Sequence, residues 1–367
     1  MHLINVALQG GGSHGAFTWG VLDALLEQPD IGFEGISGTS AGAVNAVALA
    51  SGWAQAVQAG EDPRAAARAS LKALWDDVEV MSTFASMSMQ AMRAFAGAVA
   101  PGWPSAFPLM PVSALGLNPL RQVLKRHVDF GFVQSCVMPR IHVSATHVRT
   151  GRATIFSGAA LTVDAVLASA CLPMLFPTVT IDGEAYWDGG YSVNPPLAPF
   201  IAGTASRDVL LVQINPVLRD DVPDSAAAII DRANELTFNA GLLSQVRAVE
   251  HVNQLVKAGA LDGTGVRGMY LHRIDGGAAL QRYPQSSRAL ADAALLRELF
   301  QLGRETALAW LQKHRRALGR RSTIDFEQYA DDTWLSLGRV KLPLQLLPRR
   351  LRPREGAPCP TPRRRAG

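Results

Sequence analysis

Twice within its first fifty residues the chain passes from a short apolar run, through a turn of glycine and serine, into a helical pattern. Residues 3–9 (LINVALQ) end at Gly10-Gly11-Gly12-Ser13-His14-Gly15, after which Phe17, Trp19, Leu22, Leu25 and Leu26 recur at near-helical spacing. Residues 33–37 (FEGIS) end at Gly38-Thr39-Ser40-Ala41-Gly42, followed by a helix of small and apolar residues starting near Ala41. A strand that feeds a helix returns to its sheet by a crossover, so the repeat predicts parallel βαβ construction and an α/β fold with a mostly parallel sheet. Further along, 139–156 reads as two strands around a Thr-Gly turn, and VDAVLASACLP as a short helix stopped by Pro173. A strand end and tight loop follow at AYWDGGYSVNPP, then a buried strand at 208–216. From 222 to about 318 the pattern is mostly helical, interrupted by a strand at 266–274. Another helix is expected at 64–77.

The first turn satisfies the spacing Gly10-x-Gly12-x-x-Gly15 of a dinucleotide loop. That reading needs an acidic residue at the end of the second strand to hold a ribose. Asp30 and Glu34 stand at about the right separation, but both precede that strand's end, which runs into Ser40. A phosphate loop of the lysine type is excluded by Ala16. The alternative is that the bare amides face an oxygen that becomes negative only during a reaction. One donor to such an oxyanion contributes about 2.7–4 kcal/mol.

The second turn is G-x-S-x-G at a strand-to-helix junction. A nucleophile there projects from a sharp turn, glycines relieve the crowding, and the helix offers its positive dipole end. Taken alone, the pentapeptide also fits a tight turn with a capping hydroxyl. Serine needs a base, and Asp188, followed by Gly189 and Gly190, is a carboxylate in a glycine turn. Taken alone, this motif reads as a plain Asp-Gly turn.

Together and in this order, the Gly-rich loop, G-T-S-A-G and D-G-G resemble the patatin-like phospholipases. The resemblance covers roughly residues 4–216 and includes ASACLPMLFP at 168–177, similar to the family's Ala-Ser-x-x-x-Pro-x-x-Phe-Pro stretch. It implies a three-layer α/β/α fold and a Ser-Asp dyad, with Ser40 as nucleophile and Asp188 as general base. It implies an oxyanion hole from the amides of Gly10, Gly11 and Gly12, with no metal and no cofactor. His14 takes the position usually held by Arg or Lys, and Gly15, Gly38, Gly42, Gly189 and Gly190 support the turns. A Ser-Asp-His triad would instead need His251, His272 or His314. None of these lies in a glycine-rich loop after a strand, and each reads as structural or exposed.

On this reading, 1–216 is the catalytic domain, 217–345 a mainly helical extension similar to one found on a bacterial subset of the family, and 346–367 a disordered tail. The extension is expected to be a helical layer covering the sheet. Within the first part, 81–118 is methionine-rich, and Phe84, Met87, Ala91 and Phe95 share a helical face beside Met89 and Met92. A lid or cap over an acyl chain is one expectation there, a packing helix the other.

The expected activity is hydrolysis of lipid carboxylic esters through an acyl-enzyme, of the phospholipase A type. Its rivals are an intracellular esterase or polyester hydrolase and an idle lipid-binding module. The net charge of +4 is concentrated at the end: residues 348–367 hold seven Arg against one Glu, which leaves the rest near neutral. Basic residues thus form no folded face, and no nucleic-acid partner is expected. The expected partners are an acyl-ester substrate and a membrane or lipid surface touched peripherally. Three widely spaced cysteines, with neither a leader nor a spanning segment visible, lead us to expect a cytoplasmic protein.

Overall fold

The computed structural model of the protein describes residues 1–99, 118–173, 175–219, 222–283, 287 and 292–326. The apolar run at the start forms β1 (His2–Leu8), and the glycine turn leads through a short 3-10 turn into α1 (Gly15–Leu26). The second unit follows as β2 (Ile31–Thr39) and α2 (Ala41–Ala59), with β2 parallel to β1. Next come α3 (Pro63–Val99), α4 (Pro119–His127) and α5 (Phe130–Ser135). The predicted strand pair is an antiparallel hairpin of β3 (Arg140–His147) and β4 (Ala153–Ser157), which turns at Thr150-Gly151. Then follow α6 (Val163–Ser169), β5 (Val179–Ile181), β6 (Glu184–Asp188), α7 (Ala198–Ala202) and β7 (Asp208–Gln213). The remainder holds α8 (Ala226–Lys257), β8 (Tyr270–Asp275), α9 (Ala278–Gln281) and α10 (Ala293–His314).

All eight strands join one sheet, paired in the order β5-β6-β3-β2-β1-β7-β8, with β4 also on β3. The run β3-β2-β1-β7-β8 is parallel, whereas β4 and β6 lie antiparallel to β3. Strand alternation divides the apolar side chains between two cores. Ile4, Val6, Leu8, Leu210 and Val212 face the layer of α1, α2, α3 and α10. Ala7, Val209, Leu211 and Leu271 face Leu197, Phe200, Leu242 and Val246 of the layer holding α7 and α8. The mixed, mostly parallel sheet with helices on both faces is the three-layer arrangement expected. The chain after residue 216 supplies the edge strand β8, and it lays α10 along α1, where Arg304 pairs with Asp23 and Glu27.

Two element bounds differ from those expected. The helix at 64–77 and the start of the supposed cap at 81–118 are one continuous helix, α3, running to Val99. Its side chains beyond Met81, including the methionine face, and residues 100–117 lie outside the described residues, as does the tail 346–367. The helix before Pro173 stops at Ser169, because the chain must turn there to offer the Cys171 carbonyl to the Asp188 amide, 2.8 Å away.

Candidate active site

The parallel strands β1, β2 and β7 end on one side of the sheet, the side where α/β folds place their sites. Ser40 sits between β2 and α2 with φ 54 and ψ −123, one of two non-glycine residues at positive φ among the described residues. Such a conformation costs about 1–3 kcal/mol and persists only when its surroundings enforce it. Enforcement comes from both flanks. The Ser40 amide donates to the buried Ser169 Oγ at 2.8 Å, and its carbonyl accepts from the Val44 amide at 3.1 Å. One turn of α2 presses directly on β1: a Cβ on Gly42 would stand 2.2 Å from the Leu8 carbonyl oxygen. Gly38 faces Gly42 across the elbow.

Register explains how Asp188 reaches this point from 148 residues away. On β3, β4 occupies one edge over His142–Thr146, so β2 and β6 must share the other. Thr39 pairs with Ser144 and Asp188 with Ala145, the next residue. The carboxyl ends of β2 and β6 therefore meet head to head, with Ser40 and Asp188 at the junction. The Asp188 backbone is fixed by the Cys171 carbonyl on its amide and by Thr146 Oγ1, which donates to its carbonyl at 2.8 Å. One carboxylate oxygen, Oδ1, accepts from the Gly190 amide at 2.7 Å. The other, Oδ2, is buried and has no hydrogen-bond partner among the described residues. The Ser40 hydroxyl lies close enough to favour the ionised form, yet it lacks full hydrogen-bond geometry. Asp188 is 1% exposed, and burial pushes its pKa up to about 7 against the pull of Gly190 and Ser40. Gly189 turns the chain after it, its carbonyl accepting from Val193.

The glycine loop lies against Ser40: a Cβ on Gly10 would stand 2.7 Å from the Ser40 Cβ. Its anchors are buried amides. Gln9 Oε1 accepts from the Ile214 and Asn215 amides, and Asn215 Nδ2 donates to the Gly10 carbonyl at 3.0 Å. The Gly10 amide donates to Asn194 Oδ1 at 2.6 Å. The expectation that Gly10 belongs to an oxyanion hole is corrected by that bond, which uses its only N–H to moor the loop. Gly11 and Gly12 are different, since no acceptor is found for their amides among the described residues. His14 is buried, with Nε2 2.8 Å from Ser287 Oγ and its ring edge toward Tyr283. Gly15 opens α1, packed on Ala41.

The sequence model for Patatin-like phospholipase matches residues 6–201, just over half of the chain. The chain belongs to the patatin-like phospholipase family. Among solved structures it is similar to VipD from Legionella pneumophila, at 15% identity and a TM-score of 0.37, covering 85% of this chain and 67% of that one. Comparison with curated proteins gives no match.

In this patatin-like chain the three histidines of the rival triad lie elsewhere. His272 is buried on β8, held by Asp208 Oδ1 at 2.8 Å and by Thr323 Oγ1, at the sheet end remote from Ser40. His251 is exposed on α8, and His314 rests on Trp310 at the end of α10. Ser169, Asn194, Gln9 and Asn215 are site residues that the sequence reading left without a role. The available signal was their position, each at an element end or beside a glycine turn, where a buried amide or hydroxyl needs a backbone partner.

Proposed function

We propose that the chain hydrolyses carboxylic esters of lipids, with Ser40 as nucleophile and Asp188 as general base. The observation that carries this reading is an unpartnered, buried carboxylate oxygen beside a strained serine at the start of a 19-residue helix. A carboxylate is ordinarily a poor base for an alcohol; a pKa near 7 places Asp188 where general-base catalysis at neutral pH is efficient. Ser40 Oγ attacks the ester carbonyl as its proton passes to Asp188 Oδ2. The developing oxyanion receives N–H bonds from Gly11 and Gly12, aided by the dipole of α2. Asp188 then returns the proton to the departing alcohol. Water attacks the acyl-Ser40 ester by the same route, giving up its proton to Asp188, and collapse releases the fatty acid and restores the serine hydroxyl.

The family association supports a lipid acyl ester as substrate, and phospholipase A chemistry is our assignment within that class. None of the described helices is long and apolar enough to cross a membrane. The test is turnover of an acyl-chain series, from soluble butyrate esters to phospholipid vesicles. Preference for long chains at an interface is expected, with activity abolished in Ser40→Ala and lowered at least a thousandfold in Asp188→Asn. Full activity in Ser40→Ala would overturn the assignment.

A further inference from the structure

The long helix α8 reverses its polarity halfway along. In its second half Leu242, Val246 and Val249 are buried against the sheet, as in any surface helix. In its first half the residues turned toward the protein are polar except Phe238. Glu235, 1% exposed, holds Arg219 and Arg232, and Asn239 bonds Gln9 and the Pro216 carbonyl. The residues turned outward are the apolar Ile229, Ile230, Ala233, Leu236 and Ala240, with the polar Asn234 and Thr237 beside them. Ile229, Ile230 and Leu236 are 51%, 62% and 53% exposed. At 100° per residue the five apolar ones fall within an arc of about 120°, which also holds Thr237 but no charged side chain between residues 226 and 240.

This apolar face stands at the site. Asn239 is level with the ends of β1 and β7, because its partner Gln9 directly follows β1 and its partner Pro216 stands three residues beyond β7. Asn253, further down the helix, is level with the start of β8 through its bonds to Met269. The helix thus runs antiparallel to the parallel strands, and residues 226–238 project about 20 Å past their ends, on the side of Ser40 and Asp188. Phe238 touches Gly190 and packs its ring on Tyr191 at 5.4 Å, beside Asp188.

We propose that the outer face of 226–240 is the surface by which the protein docks on a lipid–water interface, lying in its plane so that an acyl ester can reach Ser40. An apolar helical face without charge on the rim of a lipid-hydrolysing site fits that occupant. The headgroups it fits are zwitterionic. The face has no cation, and the exposed Asp224, two residues before the helix, would repel an anionic leaflet. The proposal rests on the acyl-hydrolase reading above and deepens it.

The test uses the full chain. With Ser40→Ala protein, which cannot consume the membrane, co-flotation with phosphatidylcholine vesicles reads docking without catalysis. Adding Ile229→Glu and Leu236→Glu together should lower the partition coefficient at least tenfold. Val57→Glu, a similarly exposed apolar position about 25 Å along α2 from Ser40, should change it less than twofold. In the Ser40 chain the same pair should lower the ratio of vesicle to soluble-ester turnover at least tenfold. The docking proposal is overturned by a parent that does not float, by a double variant that floats as well as the parent, or by equal loss in Val57→Glu. It is also overturned if light scattering shows a dimer that the pair dissolves while flotation persists, which would make the face a self-association surface. A native chain that fails to turn over soluble ester counts against the hydrolase reading instead, and the flotation result stands apart from it. Matching circular dichroism and urea midpoints establish that the variants are folded.

Discussion

Replacing Asp188 by Asn should make the protein more stable and inactive, and the gain should depend on pH in a defined way. Burial raises the carboxyl from its ordinary 3.8 to about 7, so between those values the unfolded chain has released the proton while the native chain still holds it. The unfolded state then binds fewer protons, and wild-type stability falls with rising pH by about 1.4 kcal/mol per unit. The loss is absent below 3.8, accrues up to about 7, and is complete above it, reaching about 4 kcal/mol. Asn keeps the carbonyl that accepts from Gly190, and it places an amide donor where Oδ2 lacks a partner. It escapes the ionisation cost altogether. Urea unfolding of both proteins from pH 5 to 8.5 should show the variant gaining on wild type by about 2–3 kcal/mol between pH 5 and 7, then a constant gap. A gap that is flat with pH, or a variant less stable than wild type at pH 8.5, would refute the reasoning.

Other consequences are as direct. Activity should move with pH in the sense opposite to stability: kcat/KM for a soluble ester should rise to a plateau with an apparent pKa near 7, since the base must be ionised, and a flat profile from pH 5 to 9 would exclude Asp188 as that base. Ser169→Ala leaves the Ser40 amide buried without its acceptor, at a cost of about 1–3 kcal/mol. Because the bond holds the elbow, the loss should show in kcat more than in KM. Gly42→Ala forces a methyl onto the Leu8 carbonyl and should destabilise the fold by about 3 kcal/mol, read from the urea midpoint.

Much of this architecture was legible because its signals are local. The two strand–turn–helix units and the Thr-Gly hairpin each announce themselves within twenty residues, and G-T-S-A-G marks the elbow where Ser40 takes its positive φ. What was not legible depends on register between distant segments. That Asp188 arrives head-on to β2 follows from β4 occupying the other edge of β3, which no spacing encodes. The Gly10 amide cannot be known to be in use without Asn194, 184 residues away. His272 is assigned to Asp208 only by the pairing of β7 with β8. The polarity reversal of α8 was written in the sequence, but a helical pattern does not reveal which face meets the protein.

The central claim is that Ser40 is an activated nucleophile served by Asp188, and mapping a fluorophosphonate adduct by mass spectrometry on the purified full chain tests it most directly. The account predicts one adduct, on Ser40, absent in Ser40→Ala and formed far more slowly in Asp188→Asn. A folded protein that stays unlabelled with and without detergent micelles, or that is labelled on another residue, would contradict it.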